Sequence, residues 1–118
     1  MRVKASAMAE SSPQFVYFLR PRRLDMLTNG PSPEEARIQT AHGDYLKNLA
    51  ALGVVMLAGR TTNNDETTVG IVIVKAPDEN AAHSIMERDP FVANGLMNAT
   101  LFPFRVAYAS QPAVEALH

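Results

Sequence analysis

His42 and Asp89 are the two residues of this chain whose types and placement best suit proton transfer. Asp89 ends the run "MERDPFVANG", an amphipathic stretch broken by Pro90 and followed by Asn94-Gly95. A carboxylate is disfavoured at a helix C-terminus, where the backbone already concentrates partial negative charge. Its presence there, at what reads as the exposed end of a helix, calls for a partner. An aspartate bonded to one imidazole nitrogen fixes the tautomer and makes the other nitrogen a general base. Arginine adds a planar fork that can hold a carboxylate or an enolate, and Arg60 and Arg20 are the candidates for that role. Arg22 and Arg23 read as a solvated loop. His83 reads as a surface or packing residue, His118 is terminal, and Asp65 and Glu66 form a polar hairpin tip. Three scattered histidines without a carboxylate cluster do not make a metal site.

Six elements must position these groups. "QFVYFLR" (14–20) is short, apolar and aromatic, so it reads as a strand. The loop "PRRLDMLTNGPS" follows. Ser32 then opens a capping box, with Pro33 at the first helical position and Glu35 three residues after the cap. This helix is expected to reach about Leu52, where Gly53 closes it. Ile38, Tyr45, Leu46, Leu49 and Leu52 share one face. "VVMLAG" (54–59) and "TVGIVIVK" (68–75) are the second and third strands, joined by "TTNNDE". Asp78 caps a second helix, with Ala82, Ile85 and Met86 inward, which stops before Pro90. A fourth strand lies within "NATLFPFRVAYAS", where Pro103 argues for an edge.

The order β-α-β-β-α-β predicts an α+β, ferredoxin-like fold: a four-stranded antiparallel sheet, order 4-1-3-2, with both helices on one face. Strands one and three are apolar on both sides, Ile71 and Ile73 pointing one way and Val72 and Val74 the other. A sheet covered on one face alternates instead, so the second face is expected to meet a second copy in a homodimer. One rim of the sheet gathers Arg20, the basic loop, Gly59, Arg60 and Asp89. His42 lies nine residues into the first helix, about 13 Å along it at ~1.5 Å per residue, on the inward face. The antiparallel helices then bring His42 toward Asp89, and Gly43 beside it leaves room for a ligand. Each signal has a plainer reading. A lone histidine on an apolar face is more often a satisfied core residue, and Asp89 could simply bond the backbone of the turn it begins.

Composition bounds the rest. The chain has 118 residues, enough for one domain, and is divided as a tail (1–13), a domain (14–110) and a C-terminal tail (111–118). Net charge is −1, so no field favours nucleic acid or an anionic membrane. The absence of cysteine excludes disulfides and thiolate chemistry. No run approaches the roughly 20 apolar residues of a membrane span. The opening lacks the apolar core of a signal peptide, Met8 is an alternative start, and a cytoplasmic protein is the expectation. RNA-binding domains that share this strand order stack bases on strand-three aromatics, which "TVGIVIVK" lacks.

"H-x-x-Y-L-x-x-L-x-x-x-G" (His42 to Gly53), Ala58-Gly59, the strand "G-I-V-I-V" and "DPF" (Asp89 to Phe91) resemble the YCII-related family, from about Phe15 to Tyr108. The resemblance implies a dimeric α+β barrel and a histidine–aspartate active site, which maps onto His42 and Asp89. It further implies cofactor-free chemistry, since relatives include a dehydrochlorinase of chlorinated hydroxyquinols and the barrel is similar to that of muconolactone isomerases. Arg60 departs from the proline many relatives carry. The sequence thus predicts a small enzyme with catalytic His42 and Asp89, and with Arg20, Arg60, Tyr45, Gly59 and Phe91 about a small cyclic or hydroxylated substrate. Elimination or isomerisation needs only one base and one anion stabiliser. The alternative is a non-catalytic, dimeric ligand-sensing or assembly module. An enzyme requires His42 beside an open pocket, whereas a module would tolerate it sealed in the core.

Overall fold

The computed structural model describes residues 13–117. The expected amino-terminal tail, apart from Pro13, and with it the alternative start at Met8, lies outside the described residues, as does His118. The elements in chain order are β1 (Gln14–Pro21), α1 (Asp25–Thr28), α2 (Pro33–Ala51), β2 (Val55–Arg60), β3 (Gly70–Lys75), α3 (Glu79–Arg88), α4 (Pro90–Ala93), β4 (Met97–Phe104) and α5 (Gln111–Glu115). The six expected elements are all present. The short helices α1, α4 and α5 are additions, each too brief to show helical periodicity in the sequence. One of them, α5, lies in the segment expected to be a tail.

Local chemistry explains the boundaries. Both halves of the capping box close α2: the Glu35 amide donates to Ser32 Oγ at 3.1 Å, and the Ser32 amide donates to Glu35 Oε1 at 2.9 Å. Glu35 also pairs with Arg23, which ties the basic loop to the start of the helix. Gly53 follows the helix with φ 77°, in the left-handed region open to glycine. The third strand begins two residues later than expected. Thr68 is withdrawn into the preceding loop, where its hydroxyl donates to the Asn63 carbonyl at 2.6 Å and accepts from the Asp65 amide at 3.1 Å.

The sheet order is β2-β3-β1-β4, all antiparallel, as the sequence predicts, with Pro103 on the edge strand β4. Registers assign the faces. Tyr17 pairs with Val72 and Phe15 with Val74, and these four join Leu19, Ile38, Met86 and Phe91 in the core beneath the helices. On the other face Phe18 pairs with Ile71 and Val16 with both Ile73 and Phe102. Phe18 and Phe102 meet edge to face, centroids 5.8 Å apart. No described helix covers this side, and Phe102, Leu57 and Phe104 stay 47%, 42% and 38% exposed. No helix among the described residues is long and apolar enough to cross a membrane.

The capping box yields a stability test. Ser32→Ala removes the acceptor for the Glu35 amide and should cost about 1 kcal/mol. Urea unfolding should show a lower midpoint with an unchanged slope.

Candidate active site

Pro90 sets the site. The residue before a proline is driven out of helical geometry, and Asp89 accordingly leaves α3 with φ −60° and ψ 124°. It is at once the C-cap of α3 and the N-cap of α4, with Pro90 at the first position of α4. Its carboxylate accepts from the Phe91 amide at 3.0 Å, as the plainer reading of Asp89 anticipated. The same carboxylate also receives His42, whose Nδ1 lies 2.6 Å from Oδ1. The two readings hold together. Placement at an exposed end does not: Asp89 is fully buried.

The donor that sequence reasoning missed is Tyr17. Its hydroxyl, fully buried in the middle of β1, donates to Asp89 Oδ2 at 2.7 Å. The available signal was a tyrosine inside an apolar strand, because a buried phenol hydroxyl must find a partner. Asp89 therefore takes side-chain donors from β1 and α2 and a main-chain donor from α4. This set offsets the cost of a buried carboxylate, which is several kcal/mol when unmet. Burial first, then the charge of Asp89 and the bond to it, hold the Tyr17 phenol far above its ordinary ionisation range. The Tyr45 phenol is raised as well, by burial first and then by Asp89.

His42 is placed by α2 and by Phe91. The two rings stack with centroids 4.0 Å apart and planes 26° apart. With Nδ1 donating to Asp89, the tautomer assigned from this contact leaves a lone pair on Nε2, which has no hydrogen-bond partner among the described residues. The imidazole borders a cleft of about 430 Å³ on the helix side of the sheet, within the usual size range for small-molecule sites. Its walls are mostly apolar, with Leu19, Met26, Leu46 and Met97 contributing, and Gln39, Thr68 and Arg60 supply polar groups.

The other expected site residues divide. Gly59 and Phe91 line the cleft. Arg60 also lines it, but its Nε donates to the Thr61 carbonyl at 2.6 Å, and Nη2 donates to the Asn63 carbonyl at 2.9 Å and to Asn64 Oδ1 at 2.7 Å. The edge that would grip a carboxylate with two bonds is engaged by its own hairpin loop, and Nη1 alone lacks a partner among the described residues. Arg20 and Tyr45 do not line the cleft. The Tyr45 hydroxyl instead donates to the Ile85 carbonyl at 2.7 Å, satisfying an orphan acceptor in the last turn of α3. Arg20 is exposed on the sheet, its Nη1 3.5 Å from the Thr68 carbonyl. Gly43 opens no room in the cleft, because it is exposed and a Cβ built there would meet nothing within 4 Å. His83 is half exposed, 3.6 Å from Glu87. Among the described residues no group of three His, Cys, Asp or Glu side chains could hold a metal ion.

The architecture and the site together define a ferredoxin-like α+β domain with a histidine–aspartate pair on a cleft. The chain belongs to the YCII-related domain family, whose model matches residues 14–105. Its backbone is similar to that of 5-chloro-2-hydroxyhydroquinone dehydrochlorinase from Burkholderia phenoliruptrix, solved in complex with 2,5-dihydroxybenzoquinone. The TM-score is 0.56, with 23% identity over 77% of this chain and 93% of that one. A weaker likeness is to SnoaB, a cofactor-independent oxygenase from Streptomyces nogalater (TM-score 0.46, 11% identity, 86% of this chain and 98% of that one). Another is to a dimeric ferredoxin-like protein from an uncultured marine organism (TM-score 0.44, 6% identity, 91% and 99%). No curated protein matches the chain significantly.

The two raised phenols set an alkaline limit. The native state keeps both protonated above the ordinary range of a tyrosine, where the unfolded chain has lost those protons. Their contribution is therefore complete below about pH 10 and is lost as pH climbs beyond it. Circular dichroism should show unfolding above pH 10, and tyrosinate absorbance from two of the three tyrosines should rise in the same transition.

Proposed function

We propose that the protein is a small enzyme using His42 and Asp89 as a general acid–base pair on a small cyclic or hydroxylated organic substrate, which it eliminates or isomerises. The observation that supports this most is the division of the imidazole. One nitrogen is bonded to a buried aspartate and the other borders an open cleft, whereas a non-catalytic module would tolerate the ring sealed in the core. Nε2 would take a proton from an activated C–H or from a hydroxyl. The electron pair left behind would form the new double bond, either expelling a leaving group with its electrons or shifting an existing double bond. Asp89 stabilises the imidazolium that results, and Nε2–H returns the proton at another carbon in isomerisation or releases it in elimination. Positioned proton transfer of this kind contributes about 10²–10⁴-fold in rate. Arg60 adds positive charge at the cleft wall for a developing enolate. The pair supplies this chemistry without a cofactor. Removal of HCl by a protein of the same fold, the dehydrochlorinase, is consistent with the assignment.

The reading includes a homodimer joined through the open sheet face. Phe18, Ile71, Ile73 and Phe102 form a continuous apolar surface there, the kind that marks a protein contact. The cleft lies on the opposite, helix side, so pairing would leave it accessible.

Two experiments test these statements. A thermal-shift panel of cyclic hydroxy acids, lactones and halogenated hydroquinones should yield stabilising compounds, followed by turnover. His42→Ala and Asp89→Asn should each lower kcat by about 10²–10⁴-fold, and the double variant should lose little more, as residues acting as a unit do. Turnover unaffected by His42→Ala, or a cleft that takes none of these compounds, would count against the enzyme. Light scattering at micromolar concentration should give about twice the 12.9 kDa chain mass. A clean monomer would sink the barrel assembly.

A further inference from the structure

Tyr17 is wired to the acid–base pair from the sheet yet does not line the cleft. It sits between Val72 and Leu101 on the neighbouring strands, with no exposure to solvent. The two oxygens of Asp89 have different partners. Oδ1 serves both His42 Nδ1 and the Phe91 amide, and Oδ2 serves the Tyr17 hydroxyl. The terminal torsion of a carboxylate is soft, so contacts to one oxygen leave its plane free to turn. A contact at each oxygen fixes it.

We propose that Tyr17 is a positioning residue: its hydroxyl locks the plane of the Asp89 carboxylate so that Oδ1 faces His42 Nδ1 and the Nε2 lone pair is directed to the cleft. The inference rests on reading His42 as the base. Phe91 constrains the same imidazole differently, by stacking on its face. The two contacts divide the task, Phe91 holding the ring and Tyr17 holding the ring's partner. Burial and the neighbouring carboxylate keep the phenol protonated, so Tyr17 is a constant donor and not a second base. Without its hydroxyl, the carboxylate would swing and the imidazole would drift toward the tautomer that an unconstrained histidine side chain prefers, protonated on Nε2.

The test needs no substrate. In the full chain labelled with ¹⁵N-histidine, long-range ¹H–¹⁵N correlation at a pH where His42 is neutral should show Nδ1 protonated and Nε2 bare. Tyr17→Phe should move both signals toward an average of the tautomers. It should also slow the reaction of His42 with diethyl pyrocarbonate several-fold, read by mass spectrometry against His83. Val74→Ala, a buried core change making no hydrogen bond to the pair, should lower stability and leave both readouts alone. If the wild type lacks the Nδ1-protonated pattern, the base reading and this inference fall together. If the wild type shows it and Tyr17→Phe keeps it, Tyr17 is only structural and this inference alone is overturned. A Val74→Ala variant that mimics Tyr17→Phe overturns it too. Should Tyr17→Phe not fold, the wild-type Tyr17 hydroxyl proton decides. A slowly exchanging resonance that moves in Asp89→Asn supports the assignment, and a freely exchanging one overturns it.

Discussion

A fully buried carboxylate is the constraint on which the rest of this structure depends. Desolvating an ion the size of Asp89 costs several kcal/mol unless donors replace the water, and the fold supplies them from β1, α2 and the backbone of α4. Each donor also fixes the element that carries it. Tyr17 ties the sheet to the end of α3, His42 ties α2 to the same point, and the Phe91 amide starts α4. The polar core of the domain and its candidate active centre are thus one object. Changes at Asp89 are expected to affect folding and chemistry together, because a lost carboxylate strands donors that have no other partner.

The tripeptide from Asp89 to Phe91 concentrates several functions in one turn of chain. Pro90 forces Asp89 out of helical geometry, and that release turns the carboxylate inward as an N-cap. Phe91 contributes its amide to the carboxylate, its ring to the imidazole and its edge to the cleft wall. A histidine held by an anion on one nitrogen and by an aromatic face along its plane has little freedom left, and such preorganisation is what an acid–base group needs. The cleft around it is mostly apolar. Proton transfer there would occur in a medium of low dielectric, where the Asp89–His42 interaction is stronger than in water.

The two faces of the sheet carry separate tasks. The helix side holds the core and the cleft, and the opposite side holds an aromatic and aliphatic surface on which Phe102, Leu57 and Phe104 stay exposed. That separation explains why β1 and β3 lack the usual alternation. Tyr17, Leu19 and Val72 face the helices, whereas Phe18 and Ile71 face outward beside Phe102. Arg60 shows the limit of reading a charge by its position on a rim. It does reach the cleft, but neighbouring loop carbonyls take the bidentate edge of its guanidinium, because the hairpin from Thr61 to Val69 needs donors inside it.

The sequence by itself determined the order of the four strands and two long helices, the strand order in the sheet and the capping box of α2. All of these follow from local patterns: hydrophobic period, turn chemistry and the chirality of crossovers. It marked Pro103 as an edge residue for the same reason, since a missing amide donor is a property of the residue alone. Only the tertiary structure decided that Asp89 is buried, that Tyr17 completes its hydrogen bonds, and that Tyr45 turns to the Ile85 carbonyl instead of the cleft. Tyr17 and Asp89 are 72 positions apart, and nothing in either local sequence encodes the other. Their contact exists because β1 lies beneath the junction of α3 and α4, a distance that packing sets and no periodicity records.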